Sequence, residues 1–339
     1  MTSLAQQQLA EHPRATPTVS VVMPTYNRAR TIREALEPLL VDGEALEVIV
    51  VDDGSSDQTR AVLRTLADRA PVLRVISVEN GGAARAREIG VKSARGEVVL
   101  ILDDDVVAST GLVGRHARRH AGRSDLLVVG YMPTVRPAPA SRATYATTIY
   151  ADSYEEHCDE WERDPETILR RLWMGNVSLR TVDALRVGMS SAIVGYHADR
   201  DFGIRCAKAG ISAVFDRSLL ASHRYQRTLR SFCADARSQG ATNFDVHAAH
   251  EDVLGPFDDH YHRGLGRISR AVITSVGFGP AYVGLSAATS AVVRLAGLIG
   301  AQSIEIRGAR FLQRIEAQRG FVQRARKRNQ LATEPGDQW

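Results

Sequence analysis

The sequence predicts an α/β protein built on a mostly parallel, twisted sheet flanked by helices. Two observations carry the prediction and a third locates its ligand cleft. Short apolar runs, VSVVM (19–23), LEVIVVDDG (46–54), VLRVISV (72–78) and EVVLILDDD (97–105), alternate with stretches of helical period. These runs are near-continuously apolar rather than apolar at every second position, the mark of strands covered on both faces by crossover helices. Carboxylates close two of the runs, at Asp52–Asp53 and Asp103–Asp105. In open α/β sheets, ligands bind in the crevice outside the carboxyl ends of the strands, so the two positions point to one cleft.

The elements follow in order. Residues 1–17, MTSLAQQQLAEHPRATP, have no basic segment leading into an apolar run, so they read as a flexible lead and not a signal peptide. After the first strand, PTYNRARTIREALEPLL puts Ile32, Leu36, Leu39 and Leu40 on one stripe, with Asn27 as the expected cap. In residues 55–70 Val62, Leu63 and Leu66 face inward; Gly54 permits the tight turn before them, and Ser55 or Ser56 is the expected cap. Residues 81–95 form a third helix. MPTVRPAPAS (132–141) is a loop by its proline content, and the polar and aromatic segment after it is a helical excursion or a lid over the cleft. Residues 173–189 return to a strand and a helix. HADRDFGIRCAKAG (197–210) is a helix with Phe202, Ile204 and Cys206 inward, stopped by Gly210, and 211–225 form a strand and a turn.

Beyond residue 228 the character changes. Residues 228–262 are helix-like and rich in histidine, and HYH (260–262) beside Asp258 and Asp259 is expected to form a polar surface or a pocket wall. From Ala271 to Val293 no residue is charged, a length that suits a membrane span; Gly, Ser, Thr and Pro280 weaken its apolar drive and favour a buried or interfacial helix pair. The tail is basic, with Arg307, Arg310, Arg314, Arg319, Arg324, Arg326, Lys327 and Arg328 against Glu305 and Glu316. It reads either as a helix lying on an anionic membrane surface or as a solvated helix. Three segments are therefore expected: the lead 1–17, an α/β domain 18–227 and a helical region 228–339.

Composition narrows the partners. A formal charge of +4, from 43 basic and 39 acidic residues, is too small to argue for nucleic acid. Cys158, Cys206 and Cys233 are sparse, odd in number and without metal-binding spacing, which fits a reducing compartment. The first strand leads into PTYNRA, with neither the GxGxxG of dinucleotide enzymes nor the GxxxxGK[ST] of phosphate-binding loops. Adjacent carboxylates at Asp103, Asp104 and Asp105 repel one another, so a positive partner is required. A hard divalent cation, Mg²⁺ or Mn²⁺, takes few carboxylates and leaves positions for phosphate oxygens; a solvated acidic turn is the alternative. On an extended backbone Asp103 and Asp105 would share one face and Asp104 the other.

Five segments in order, VSVVMPTYNRARTI, VIVVDDGSSDQT, NGGAARAREIGVKSARGEVVLILDDD, GNVSLR and ADRDFGIRCAKAG, resemble family 2 glycosyltransferases of the GT-A fold over roughly residues 18–225. The resemblance implies an inverting, metal-dependent transfer of a sugar from a nucleotide diphosphate, a UDP-sugar first among candidates, to an acceptor hydroxyl. By it, Pro24, Thr25 and Tyr26 line the nucleotide pocket; Asp53, with Asp52 beside it, bonds the base; and Gly82 and Arg87 shape the wall near the nucleotide. Asp104 contacts ribose or sugar hydroxyls, and Asp103 completes the acidic motif. Asp105 holds the cation, which His223 approaches. Asn176 shapes the donor-sugar or acceptor pocket, and Asp199 is the general base. Two residues depart from the family pattern: Ala198 stands where glutamate is usual and Glu88 where asparagine is frequent. The first leaves Asp201 as a rival base and retention as an alternative outcome. The acceptor implied is a cell-envelope glycan or lipid-linked precursor at the cytoplasmic face of a membrane, with a soluble small molecule as the rival. A non-catalytic nucleotide-sugar-binding protein is the alternative from another class, and oligomerisation is left open.

Overall fold

The computed structural model describes residues 16–136, 138, 144–255, 267, 271, 273 and 280–333. Most of the lead and the HYH segment lie outside them. The strands are β1 (Val19–Thr25), β2 (Glu47–Asp53), β3 (Leu73–Val78), β4 (Val98–Leu102), β5 (Val106–Ala108), β6 (Leu126–Tyr131), β7 (Asn176–Arg180) and β8 (Ser212–His223). They form one sheet in the order β3-β2-β1-β4-β7-β6-β8-β5. Pairs β1–β2, β2–β3, β1–β4 and β6–β8 are parallel; β4–β7, β6–β7 and β5–β8 are antiparallel. The sheet is thus mixed but mostly parallel, as the apolar runs predict, and the antiparallel ladders all lie in the half beyond β4.

Crossover helices α1 (Ile32–Asp42), α2 (Thr59–Ala67) and α3 (Ala83–Ser93) join the first four strands. Ile32, Leu36, Leu39, Leu63 and Leu66 are buried, while Leu40 and Val62 are only partly so. All five β4 residues are fully buried. Each such aliphatic side chain stabilises by about 1.5–3 kcal/mol, enough to hold a strand whose end gathers mutually repelling carboxylates.

Capping differs from expectation. Asn27 adopts φ 54° and does not cap α1, which starts after Thr31. Its Oδ1 instead accepts from Ser56 N at 2.8 Å and Asp57 N at 3.3 Å, while Ser55 Oγ accepts from Asn27 N at 2.9 Å. Asp57 Oδ1 accepts from Thr59 N at 2.9 Å at the start of α2. These side chains tie the β1–α1 and β2–α2 loops together across the sheet edge, a pairing that a local spacing rule does not see.

Elements α4 (Leu112–Arg119), β5 and β6 go beyond the sequence expectation. The inner face of α4 carries His116, which disguises the helical pattern. His116 and His120 are fully buried. Their bonds form one chain: His120 Nε2 to Ser178 Oγ at 2.8 Å, Ser178 Oγ to His116 Nδ1 at 2.8 Å, and His116 Nε2 to Asn176 Oδ1 at 3.0 Å. Asn176 Nδ2 then donates to the Leu219 carbonyl at 2.9 Å. The chain closes with both imidazoles neutral and protonated at Nε2. Burial pushes His116 down to about 3 and, with the charge of Arg180, His120 down to about 4. Unfolding releases both to an ordinary value near 6.5, so the unfolded chain takes up protons that the fold refuses. Stability is therefore complete above that value and falls as the pH drops below it, by about 2 kcal/mol per histidine between pH 7 and 5. Urea midpoints at those two pH values check this; equal midpoints would contradict it.

The remaining helices are α5 (Tyr145–Arg163), α6 (Thr167–Arg170), α7 (Thr181–Val187), α8 (Ala198–Lys208), α9 (Leu229–Ala249), α10 (Glu251–Leu254), α11 (Pro280–Ile299) and α12 (Gln302–Thr333). The excursion after the Pro-rich loop is thus helical. Phe202, Ile204 and Cys206 are buried on α8, and Gly210 follows it at φ 78°.

The basic tail is a packed helix. Ala309, Leu312, Ile315 and Ala317 of α12 are buried. Glycine lets α9 and α12 cross closely: a Cβ at Gly240 would collide with the Ala317 carbonyl, and one at Gly320 with that of Arg237. Several tail cations are engaged within the chain. Arg310 pairs with Asp152 at 2.8 Å, Arg324 with Asp245 at 2.7 Å, and the Arg319 guanidinium lies over the Tyr282 ring at 4.1 Å. The charge-free stretch and its helix do not coincide. Pro280 opens α11, where a missing N–H costs nothing, and the helix continues through Arg294 to Ile299.

Candidate active site

The acidic triplet sits where β4 ends. Asp103 N donates to the Gly175 carbonyl at 3.2 Å, and Val106 N returns to the Asp103 carbonyl at 3.0 Å. The chain therefore turns at the triplet, and the strand alternation expected for its side chains does not apply. Asp104 and Asp105 share one cation: Arg28 Nε lies 2.9 Å from Asp104 and its Nη2 2.9 Å from Asp105. Asp103 turns to Arg87 at 2.7 Å, and the other end of that guanidinium holds Asp199 at 2.7 Å.

Arg87 is the centre of this arrangement. It projects from α3, is 7% exposed and bridges the end of β4 to the first turn of α8. Burial opposes its charge, but Asp199 and Asp103 outweigh that and hold its proton more tightly than usual. Asp199 Oδ2 also accepts from Met174 N at 3.1 Å, so the carboxylate is fixed at both oxygens. Its rival differs. Asp201 is 3% exposed, takes Arg205 at 2.8 Å and His250 at 2.7 Å, and does not border the cavity.

Pairing of β5 with β8 sets Val106 opposite His223, which brings His223 Nε2 to 3.3 Å from Asp105 Oδ1. Burial raises the Asp105 carboxyl, yet His223 and the guanidinium groups of Arg28 and Arg227 bring it below the usual carboxylate range. Asp104 behaves oppositely: burial lifts it to about 6 against the pull of Arg28. Asp103 is also raised by burial, opposed by Arg87. The donor set, a carboxylate and an imidazole whose Nδ1 is buried without a hydrogen-bond partner, fits a hard divalent cation. Among the described residues no cluster of three such groups is formed.

The other expected residues fall into two groups. Asp53 accepts from Gly81 N and Gly82 N, both at 2.8 Å, and so shapes the loop into α3, where Gly82 takes φ 89°. Asp52 is fully buried and accepts from Arg60 at 2.6 Å and Ser55 N at 3.1 Å. Asn176 is turned into the histidine chain behind the sheet. Pro24 and Thr25 are buried at the end of β1, whereas Tyr26 stands 47% exposed beside them.

A cavity of about 630 Å³ opens from the triplet. Asp103, Asp105, Asp199 and His223 lie on its wall, and it runs away from the β1 and β2 ends toward α5, α9 and α12. Tyr150 stacks on Tyr225 with centroids 4.0 Å apart and packs against Trp173 at 5.1 Å and His223 at 5.0 Å. Gln239, Gln313 and Arg314 line the far end. Burial and the nearby Arg310 weaken the hold of Arg314 on its proton.

Sequence reasoning missed Arg28, the aromatic wall and Arg314. The first had a signal: three adjacent carboxylates demand positive charge, and NRAR follows the neighbouring strand. The others come from helices and loops far along the chain, with no motif of their own.

The family model described as glycosyl transferase family 2 matches residues 20–184. A segment of 113 residues is 33% identical to the uncharacterized glycosyltransferase YfnE of Bacillus subtilis, covering 33% of this chain and 29% of that protein. Another, of 126 residues, is 38% identical to a validoxylamine A glucosyltransferase of Streptomyces hygroscopicus, covering 34% of this chain and 30% of that one. The matched segment spans about a third of the length of the curated relatives. Among solved structures, the mannosyltransferase PcManGT from Pyrobaculum calidifontis, in complex with GDP-Man and Mn²⁺, has the same fold: TM-score 0.58 at 18% identity, over 94% of this chain and 92% of that one. Residues 20–184 are thus a glycosyl transferase family 2 segment, set in a chain that has the GT-A fold.

Proposed function

We propose that this protein is an inverting glycosyltransferase that moves a sugar from a nucleotide diphosphate to an acceptor hydroxyl. One observation carries the reading. A buried arginine ties the acidic end of β4 to a carboxylate on α8, and both carboxylates face one cavity. In this reading residues 18–227 bind the donor and perform the chemistry, and residues 228–339 complete the acceptor end.

Tyr26 offers a ring for the base, and the backbone around Asp53 and Gly82 shapes the pocket beside it. Asp104 receives ribose or sugar hydroxyls. Asp105 and His223 hold Mg²⁺ or Mn²⁺, which when bound neutralises the diphosphate and the charge growing on it as it departs. Asp199 takes the proton of the acceptor hydroxyl at its carboxylate as that oxygen attacks from the opposite side of the sugar, so the outcome is inversion. Arg87 and Met174 N orient that carboxylate. Aromatic faces at Tyr150, Tyr225 and Trp173 receive the apolar face of a sugar ring.

Arg314, half-buried at the far end, favours an acceptor that carries phosphate, as a lipid-linked envelope precursor would, over a neutral small molecule. Such an enzyme would work at the cytoplasmic face of the membrane, where nucleotide sugars are available.

A calorimetric screen of UDP, GDP, TDP and CDP, each with Mn²⁺ and with EDTA, tests the donor reading. One nucleotide, UDP first, is expected to bind only with the metal. Equal binding with EDTA would remove the metal, and failure of all four in folded protein would remove the donor.

A further inference from the structure

The outer face of α11 is apolar in a way that water does not reward. Its exposed positions are Ala281, Val283, Gly284, Ala287, Ala288, Ala291, Val292, Arg294, Leu295, Leu298 and Ile299. Arg294 is the one polar residue among them. The side chains are large where the helix meets α12: Leu295 is 60% exposed, Leu298 65%, Ile299 70%, and Ile304 on the next helix 50%. Leu295 and Ile299 share a face at i, i+4, and the turn at Gly300 places Ile304 after them. A water-facing helix side normally alternates toward charged and polar residues, and a contiguous apolar patch marks a contact surface.

By length and composition α11 would cross a membrane, but one of its sides is packed against the protein. Tyr282, Thr289, Val293 and Ala296 are buried against the protein, and Ser286 donates to Glu316 of α12 at 2.7 Å. What remains free is one side and the tip. There the charge is of one sign. Arg294 and Arg307 are exposed beside the apolar residues and form no ion pair among the described residues, while Glu305, two residues from Arg307 in the chain, is 2% exposed. An apolar wedge flanked by unpaired cations complements an anionic lipid surface, with the wedge in the acyl boundary and the cations at the headgroups. A second copy of the chain would bring the same arginines together and offers no such complement.

We infer that the α11–α12 tip, through Leu295, Leu298, Ile299 and Ile304 with Arg294 and Arg307, docks this protein on an anionic bilayer without crossing it. The contact is therefore made by this tip, with most of the basic tail committed to the protein itself. It deepens the membrane location proposed above but stands on the fold alone, so it survives or fails independently of the nucleotide site.

Sedimentation of the full chain with vesicles of phosphatidylcholine, with and without phosphatidylglycerol, tests it. The wild type is expected to partition onto the anionic vesicles and to be released by salt. The double change Leu295→Asp with Ile299→Asp should reduce partitioning by about a hundredfold, since two large apolar anchors are lost. Arg294→Gln with Arg307→Gln should reduce the preference for phosphatidylglycerol by about tenfold while keeping the apolar contribution. All four side chains are exposed, so circular dichroism and nucleotide binding should match the wild type. The inference is overturned if the wild type ignores both vesicle types, if the aspartate variant partitions like the wild type, or if light scattering shows a wild-type dimer that this variant disperses.

Discussion

Asp199→Asn is expected to abolish transfer while leaving the donor bound. The amide keeps an oxygen for Arg87 or for Met174 N, so the side chain stays in place, but it cannot take a proton. General-base catalysis contributes about 10²–10⁴ in rate, so kcat should fall by about that factor. The dissociation constant of the nucleotide should stay within about twofold, because the partners of Asp199 are the protein's own Arg87 and Met174 N. Steady-state transfer and calorimetry on the same preparation read the two quantities. Asp201→Asn is the matched control: it disturbs Arg205 and His250 and costs stability, but leaves transfer in place. Near-normal transfer by Asp199→Asn would sink the assignment. Since Asp201 is occupied and away from the cavity, weight would then pass to a retaining mechanism.

Arg87→Met should both destabilise the protein and stop transfer. The guanidinium serves Asp103 with one nitrogen and Asp199 with another, at 2.7 Å each. Breaking a buried ion pair from one side costs about 3–5 kcal/mol, because the carboxylates remain with no cation. Their partial exposure places the loss near the low end, about 3 kcal/mol, or roughly 10 °C in Tm for a domain of this size. Arg87→Lys should recover only part of either loss, since a point charge cannot span two carboxylates as a planar fork does. An unchanged melting temperature for the methionine variant would show that the bridge contributes nothing.

Both effects meet at residues the sequence marks unequally. Asp199 and the acidic triplet were legible because strand ends and an ordered series of motifs point to them. Arg87 entered only through the family resemblance, as part of the wall near the nucleotide. Its partners are 16 and 112 residues away in the chain, and no local rule connects them. Arg28 was legible only as a demand for positive charge near the triplet, which the β1–α1 loop meets in part with this arginine. Asn176 shows the converse. A motif placed it at the site, but the neutral histidine chain turns its amide to the back of the sheet.

What the sequence determined by itself was the first half of the sheet, the place of the acidic cluster at its carboxyl edge and the inward faces of the early helices. Those follow from apolar runs and periods, which are local and carry most of the burial energy. The tertiary structure alone decided the antiparallel ladders that set His223 beside Asp105, the arginine that joins β4 to α8, the aromatic wall, and the close crossing of α9 on α12 that buries the apolar side of the basic tail. Each of these depends on groups brought together from distant parts of the chain, where charge pairing and close packing act through distances in space that spacing along the sequence does not encode.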